Sequence, residues 1–214
     1  MVFSLLNSCF HESIPGESRL KFRTLSALVI AIALLLTLSA AAQDAWQIDP
    51  KHTAAQFSVR HLGISTVRGA FTKVSGSVQY DAANPGKCSI QATIDAASVD
   101  TRVEMRDNDL RSSHFFDVEK YPTITFQSKR VEVAGAGKLK VTGDLTIHGV
   151  TKEVVLDVDG PSPAVKDQQG TQHMGAAATT RINRMDYGVS GAPGVAGDEI
   201  TITLDIEMTK PAPK

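Results

Sequence analysis

Most of the chain beyond residue 44 changes character at every second residue. The stretch LKVTGDLTIHGVTKEVVLDV, Leu139 to Val158, shows the pattern. Leu139, Val141, Leu145 and Ile147 share one side of an extended chain, and Lys140, Thr142, Asp144 and Thr146 share the other. After His148-Gly149, Val154, Leu156 and Val158 resume the alternation. Successive side chains of a strand point to opposite faces, so this is a ribbon with one apolar and one wet face. A wet face excludes a parallel sheet covered on both sides and selects antiparallel pairing.

The alternation recurs along the chain. It predicts strands over Ala45–Ile48, the AAQFSVRH stretch of residues 54–61, a long Val67–Tyr80 strand, residues 88–96, Thr123–Val133, Lys138–His148, Lys152–Asp159, Gln172–Ile182 and Asp198–Thr209. In the last, Ile200, Ile202, Leu204, Ile206 and Met208 interleave with polar residues. Gly69 and Gly76 read as bends or bulges that let a sheet curl. Asn84-Pro85-Gly86 marks a turn, and Pro161–Gly170 a polar loop. Only Thr101–Ser113 departs from period two. It predicts one short helix with a stripe of Val103, Met105, Arg106 and Leu110, capped by Asp100 or Thr101 with Glu104 in the first turn. About eight antiparallel strands with one helix make an all-β fold, a closed barrel or, as the alternative, a two-sheet sandwich.

The first residues carry a different signal. Arg19, Lys21 and Arg23 precede an apolar run from Leu25 to Leu38, and Ser39-Ala40-Ala41-Ala42 follows. Charge, a short apolar run and small residues spell a cleavable secretory signal over residues 1–42, with cleavage before Gln43 and a single domain over 43–214. The run is shorter than the roughly 20 residues that span a bilayer. The chain is therefore expected to be secreted. Beyond residue 42 the chain holds 19 basic and 21 acidic side chains, so no basic stripe is available for nucleic acid. Cys88 is then the only cysteine, which leaves no disulfide framework; on an alternating strand it reads as a small buried apolar residue.

No motif marks an enzyme. There is no Gly-x-Ser-x-Gly elbow and no Gly-rich phosphate loop. His52, His61, His114, His148 and His173 lack paired metal-ligand spacing, so no metal or cofactor is expected. Asp107 and Asp109 stand two apart on the expected helix and do not face each other. Glu104 and Arg111 read as solvated helix charges.

Five stretches carry a resemblance. They are WQIDPKHTAAQFSVRHLGISTVRGAF (46–71), DTRVEMRDNDLRSSHFFDVEKYPTITFQS (100–128), VTGDLTIHGVTKEVVLDV (141–158), TTRINRMDYGV (179–189) and GDEITITLDIEMTK (197–210). In this order they resemble the YceI-like family of secreted bacterial proteins, also described as polyisoprenoid-binding or lipocalin-like. The resemblance implies an eight-stranded antiparallel barrel that differs in detail from true lipocalins. It also implies a periplasmic location, a homodimer, and an elongated apolar cavity for a long-chain isoprenoid or fatty amphiphile; the expected ligand is such a lipid or a quinone, with transient membrane contact a further expectation. The run Gly175–Thr180 departs from the family in lacking a large apolar residue near its start.

Residue bulk bears on whether the interior is solid. Beyond residue 42 there are Trp46, five Phe and three Tyr, and small residues occupy several strands (Ala92, Ala96, Gly175–Thr180). An eight-stranded barrel is either filled by side chains or holds one small ligand. A wall this thin in bulk, combined with the resemblance, favours the hollow. The expected lining is Phe57, Val59, His61, Phe71, Ile90, Ile94, Leu110, Phe115, Phe116, Phe126, Leu145, Ile147 and Tyr187, with Phe115 and Phe116 at the lining or its lid. Arg184, His61 and His52 are the candidates for a polar headgroup, His114 for the lip. His148 reads as a turn residue.

Overall fold

The computed structural model describes residues 44–212; the expected signal segment lies outside them. In chain order the elements are β1 (Asp44–Ile48), β2 (Ala54–His61), β3 (Ser65–Phe71), β4 (Val74–Tyr80), β5 (Ser89–Asp95), β6 (Val99–Asp100), helix α1 (Glu104–Arg111), β7 (Thr123–Gly135), β8 (Lys138–Ile147), β9 (Val150–Asp159), β10 (Val165–Lys166), β11 (Gln172–Asn183) and β12 (Ala196–Lys210). Among the described residues every pairing is antiparallel, and β4–β5, β5–β7, β7–β8 and β8–β9 bond in succession. β11 bonds β9 on one edge and β12 on the other, and this second ladder closes the ring. The barrel, not the sandwich, is the outcome.

Two of its eight staves are broken. β1 and β2 follow one another along the same edge of β12, and β4 and β3 pair with them in turn. The single strand expected over Val67–Tyr80 is therefore two. The break falls at Thr72-Lys73, where both backbone N–H groups leave the ladder and bond to Ser98, one to its carbonyl at 3.1 Å and one to its hydroxyl at 3.2 Å. Gly69 is not a bulge, since the β2–β3 register runs through it without a shift. A Cβ there would sit 2.5 Å from the Phe57 ring, so the glycine makes room for that ring. The register shifts that help bend the sheet occur instead on β7 against β8 and at the start of β12 against β2.

Helix α1 is shorter than expected and is not capped by a side chain; its N-cap is Val103. Thr101 gives its backbone N–H and its hydroxyl to the buried Asp107 carboxylate. The expected capping box is thus replaced by a bond from the preceding strand into the helix. The apolar stripe is also corrected: Met105 and Val103 are exposed, while Leu110 faces the barrel. Arg111 is not a solvated charge. Its guanidinium donates to the carbonyls of Ala97 and Val99, both at 2.8 Å, and pins the helix to the barrel end.

The hairpin between β8 and β9 follows directly from its two central residues. Ile147 pairs with Val150, leaving His148 at φ 52° and Gly149 at φ 75°. Positive φ at both positions is a type I′ turn, whose twist matches that of the flanking strands. The His148 ring lies 4.4 Å from the Tyr121 ring, consistent with its reading as a turn residue. A Cβ on Gly149 would lie 2.5 Å from that same Tyr121 ring. Gly149→Val combines a strained backbone with this clash and should destabilise by roughly 1–3 kcal/mol. The check is the urea unfolding midpoint, and a midpoint equal to wild type would contradict the turn assignment.

Candidate functional site, a cavity within the barrel

The inward positions do not meet in the middle. Three separate groups of buried apolar residues line the wall rather than one. One sits under α1 and includes Phe71, Val99, Ile124, Ile147 and Tyr187. The second joins Cys88, Val131, Val141, Leu156 and Ala178, and the third Trp46, Val78, Met174 and Met208. Between them, inward residues on most staves remain only half-buried: Val59, Ile90, Ala92, Leu139, Val154, Ile182, Ile202 and Leu204 among others. An apolar side chain that faces the inside of a barrel and is still partly exposed has no atoms opposite it. Such residues border a cavity of about 430 Å³, within the size range of small-molecule sites.

The thirteen residues expected to line the cavity all lie on it, as does Arg184, whereas His52 and His114 do not. Phe57, Phe71 and Phe116 form an aromatic chain at the helix end, with ring centroids 5.8 and 5.6 Å apart. Phe115 packs on the loop between β11 and β12, where a Cβ on Gly191 would lie 2.6 Å from its ring. Leu110 and Arg106 of α1 face the space from above. Cys88 lies on the wall, buried, and burial raises its thiol pKa, in keeping with a small apolar role. Sequence reasoning missed the β12 contribution, Ile200 to Ile206, although the alternation there was the clearest in the chain. It also left Arg106 and Asp109 out of the expected lining, although Arg106 stands on the same helical stripe as Leu110.

Arg184 must be reassigned. It is buried, and all five of its N–H groups are spent: Nε on the Gly197 carbonyl at 2.9 Å, Nη1 on Val189 and Gly191 at 2.8 Å each, and Nη2 on Ala196 at 3.0 Å and the Asp198 carboxylate at 3.2 Å. A guanidinium has five donors and no more. Arg184 therefore folds the loop from Val189 to Asp198 around itself and has nothing left for a headgroup. His52 is corrected as well: it stands outside the barrel, bonded to Asp49 at 2.8 Å. His114 is exposed beside the mouth and pairs with Asp109 at 3.0 Å.

The polar atoms left to the cavity are few. Tyr187 is 2% exposed and lines it, and among the described residues nothing bonds its hydroxyl. Burial, with Asp186 nearby, pushes its pKa up to about 12, so it is a neutral donor at any physiological pH. His61 also lines the cavity without a hydrogen bond to its ring among the described residues. Arg106 bonds Thr101 through Nε at 2.7 Å and through Nη2 at 3.0 Å, which leaves part of its fork unused. Arg184→Ala should unpair several buried carbonyls and cost about 1–3 kcal/mol. Urea unfolding of the variant checks this, and the folded variant should keep whatever ligand the wild type carries.

Comparison with known proteins agrees with this geometry. The YceI-like domain model matches residues 46–208. A UPF0312 protein of Vibrio cholerae is 39% identical over 169 residues, covering 78% of this chain and 88% of that protein. The crystal structure of BcnA from Burkholderia cenocepacia superposes with a TM-score of 0.66 at 27% identity, over 75% of this chain and 98% of BcnA. A Saccharophagus degradans domain described as polyisoprenoid-binding shares the fold with a TM-score of 0.59 at 17% identity, over 78% of this chain and 98% of the domain. An eight-stave closed barrel roofed by one helix, matched along nearly its whole described length, places the chain in the YceI-like family.

Proposed function

We propose that the protein binds a long-chain isoprenoid or similar amphiphilic lipid inside the barrel, and stores or carries it in the periplasm without chemical change. The observation that carries this reading is the half-buried state of inward apolar side chains around one continuous cavity. Hydrocarbon entering that space removes its own surface and that of the wall from water, at roughly 25 cal/mol per Å². A chain of many methylenes is held this way with no catalytic group. The sparse polar atoms, Tyr187, His61 and Arg106, suit one polar end near α1 and not a ligand that is polar throughout. The polyisoprenoid-binding Saccharophagus degradans domain of the same fold supports the ligand class, and the charged-then-apolar leader of residues 1–42 supports export.

The rim offers a way in. The β2–β3 turn carries Leu62 and Ile64, the latter 80% exposed, and the Leu62 N–H is tied to the Val195 carbonyl at 2.8 Å. Val195 lines the cavity and is itself exposed. We read this apolar rim as the place where the barrel touches a membrane during exchange. Ile64→Asp should then reduce co-sedimentation with phospholipid vesicles several-fold while leaving the folded barrel intact. Equal sedimentation would remove the rim from the proposal.

The direct test is organic extraction of freshly purified protein followed by mass spectrometry. A stoichiometric long-chain lipid is expected, and repeated empty spectra would favour an interaction module with an unused cavity. Ala176→Phe places a ring into the hollow from β11 and should abolish the extracted lipid without loss of fold. Lipid retained in that variant would place it elsewhere.

A further inference from the structure

We propose a divalent metal site of the zinc type on the outer wall of the barrel, formed by Asp49, His52 and Glu207, with His173 as a positioning residue. It is separate from the cavity: none of the four lines it. Asp49 and His52 lie in the break between β1 and β2, Glu207 on β12 and His173 on the neighbouring β11. The ligand atoms of Asp49, His52 and Glu207 all lie within 4.8 Å of one another. His52 Nδ1 is 2.8 Å from Asp49 Oδ2 and 3.8 Å from Glu207 Oε1. Bonds of about 2.0–2.1 Å in a tetrahedral site put ligand atoms about 3.3 Å apart, midway between these two distances. The two His52 distances thus need shifts of only roughly half an ångström each to meet that spacing.

The chain holds these groups in place before any ion arrives. Asp49 takes the Lys51 N–H on Oδ1 at 2.9 Å, which leaves Oδ2 for the site. Its own N–H donates to the Glu207 carbonyl at 2.8 Å. Thr53 and Glu207 exchange two further bonds, hydroxyl to carbonyl at 3.3 Å and N–H to hydroxyl at 3.2 Å. The loop carrying Asp49 and His52 is thus fixed to the strand carrying Glu207. His173 lies 2.7 Å through Nδ1 from Glu207 Oε1 and 3.3 Å through Nε2 from Asp167 Oδ2. A carboxylate–imidazole–carboxylate chain of this kind orients a ligating carboxylate, here through the same oxygen Oε1 that faces His52.

Three carboxylates and two imidazoles gather here, and the ion pairs of Asp49, Glu207 and Asp167 run to the two histidines. Imidazole nitrogen with carboxylate oxygen suits zinc better than calcium or magnesium, which take oxygen alone. His52 is 61% exposed, so an ion can enter from solvent and complete its shell with water.

Tag-free protein stripped with EDTA and titrated with ZnCl2 by calorimetry tests the site. One equivalent per chain is expected, with affinity falling at least tenfold in His52→Gln and in Glu207→Gln. His173→Gln should weaken binding several-fold while the melting temperature of the metal-free protein stays near wild type. His114→Ala, on a histidine pair at the far end of the barrel, should bind as wild type does. Absence of saturable binding below about 1 mM zinc would overturn the proposal. So would an unchanged affinity in His52→Gln and Glu207→Gln whose circular dichroism shows them folded.

Discussion

The β11–β12 ladder is the interaction on which the rest depends. It runs in unbroken register from Gln172↔Lys210 to Asn183↔Glu199 and joins the last two staves of a ring opened by β1. Closing the ring removes both sheet edges, and with them the unpaired N–H and C=O groups that a free edge exposes. Closure also fixes the interior. Eight staves set a circumference, and the side chains must either fill it or leave a hollow. Here they leave one, because the small run Gly175–Thr180 lies on this same ladder.

A hollow apolar barrel carries a cost that a packed core does not. Side chains facing a void lose the contacts that a close-packed interior supplies. The structure offsets part of this loss by packing segments of the wall. Trp46, Val78, Met174 and Met208 pack one part of the wall, and the aromatic chain Phe57–Phe71–Phe116 with the pinned helix α1 packs the helix end. Arg184 serves the same purpose at the mouth. By satisfying four carbonyls from one buried guanidinium it gives the long β11–β12 loop a fixed shape without an apolar core of its own.

The outer wall and the inner wall divide the chemistry. Inside, polar atoms are scarce and uncharged at their most buried point, as Tyr187 shows. Outside, charged pairs bridge neighbouring strands, Lys140 to Asp157 at 2.8 Å and Lys129 to Asp144 at 2.7 Å among them. These exposed pairs contribute little each, on the order of 0–1 kcal/mol, and mainly keep the outer face soluble. The cluster at the β1–β2 break differs because the two histidines and three carboxylates come from three parts of the chain and are braced by backbone bonds.

Alternation at period two is local information, and it determined the strands, their antiparallel pairing and which side of each faces inward. Val141, Leu145, Ile147, Leu156 and Ile202 all face the side their parity assigned. The His148-Gly149 turn was legible for the same reason, since positive φ is a property of two adjacent residues. What depends on groups far apart in the chain was decided only by the tertiary structure. Arg184 looked like a free cation until the loop folded its carbonyls around it. Met105 fitted a helical stripe, but bonds from Thr101 and Arg111 rotate the helix so that Leu110, not Met105, meets the barrel. His52 and Glu207 lie more than 150 positions apart, and no spacing rule could bring them within reach of one ion; the closed ring does so by laying β12 beside the break between β1 and β2.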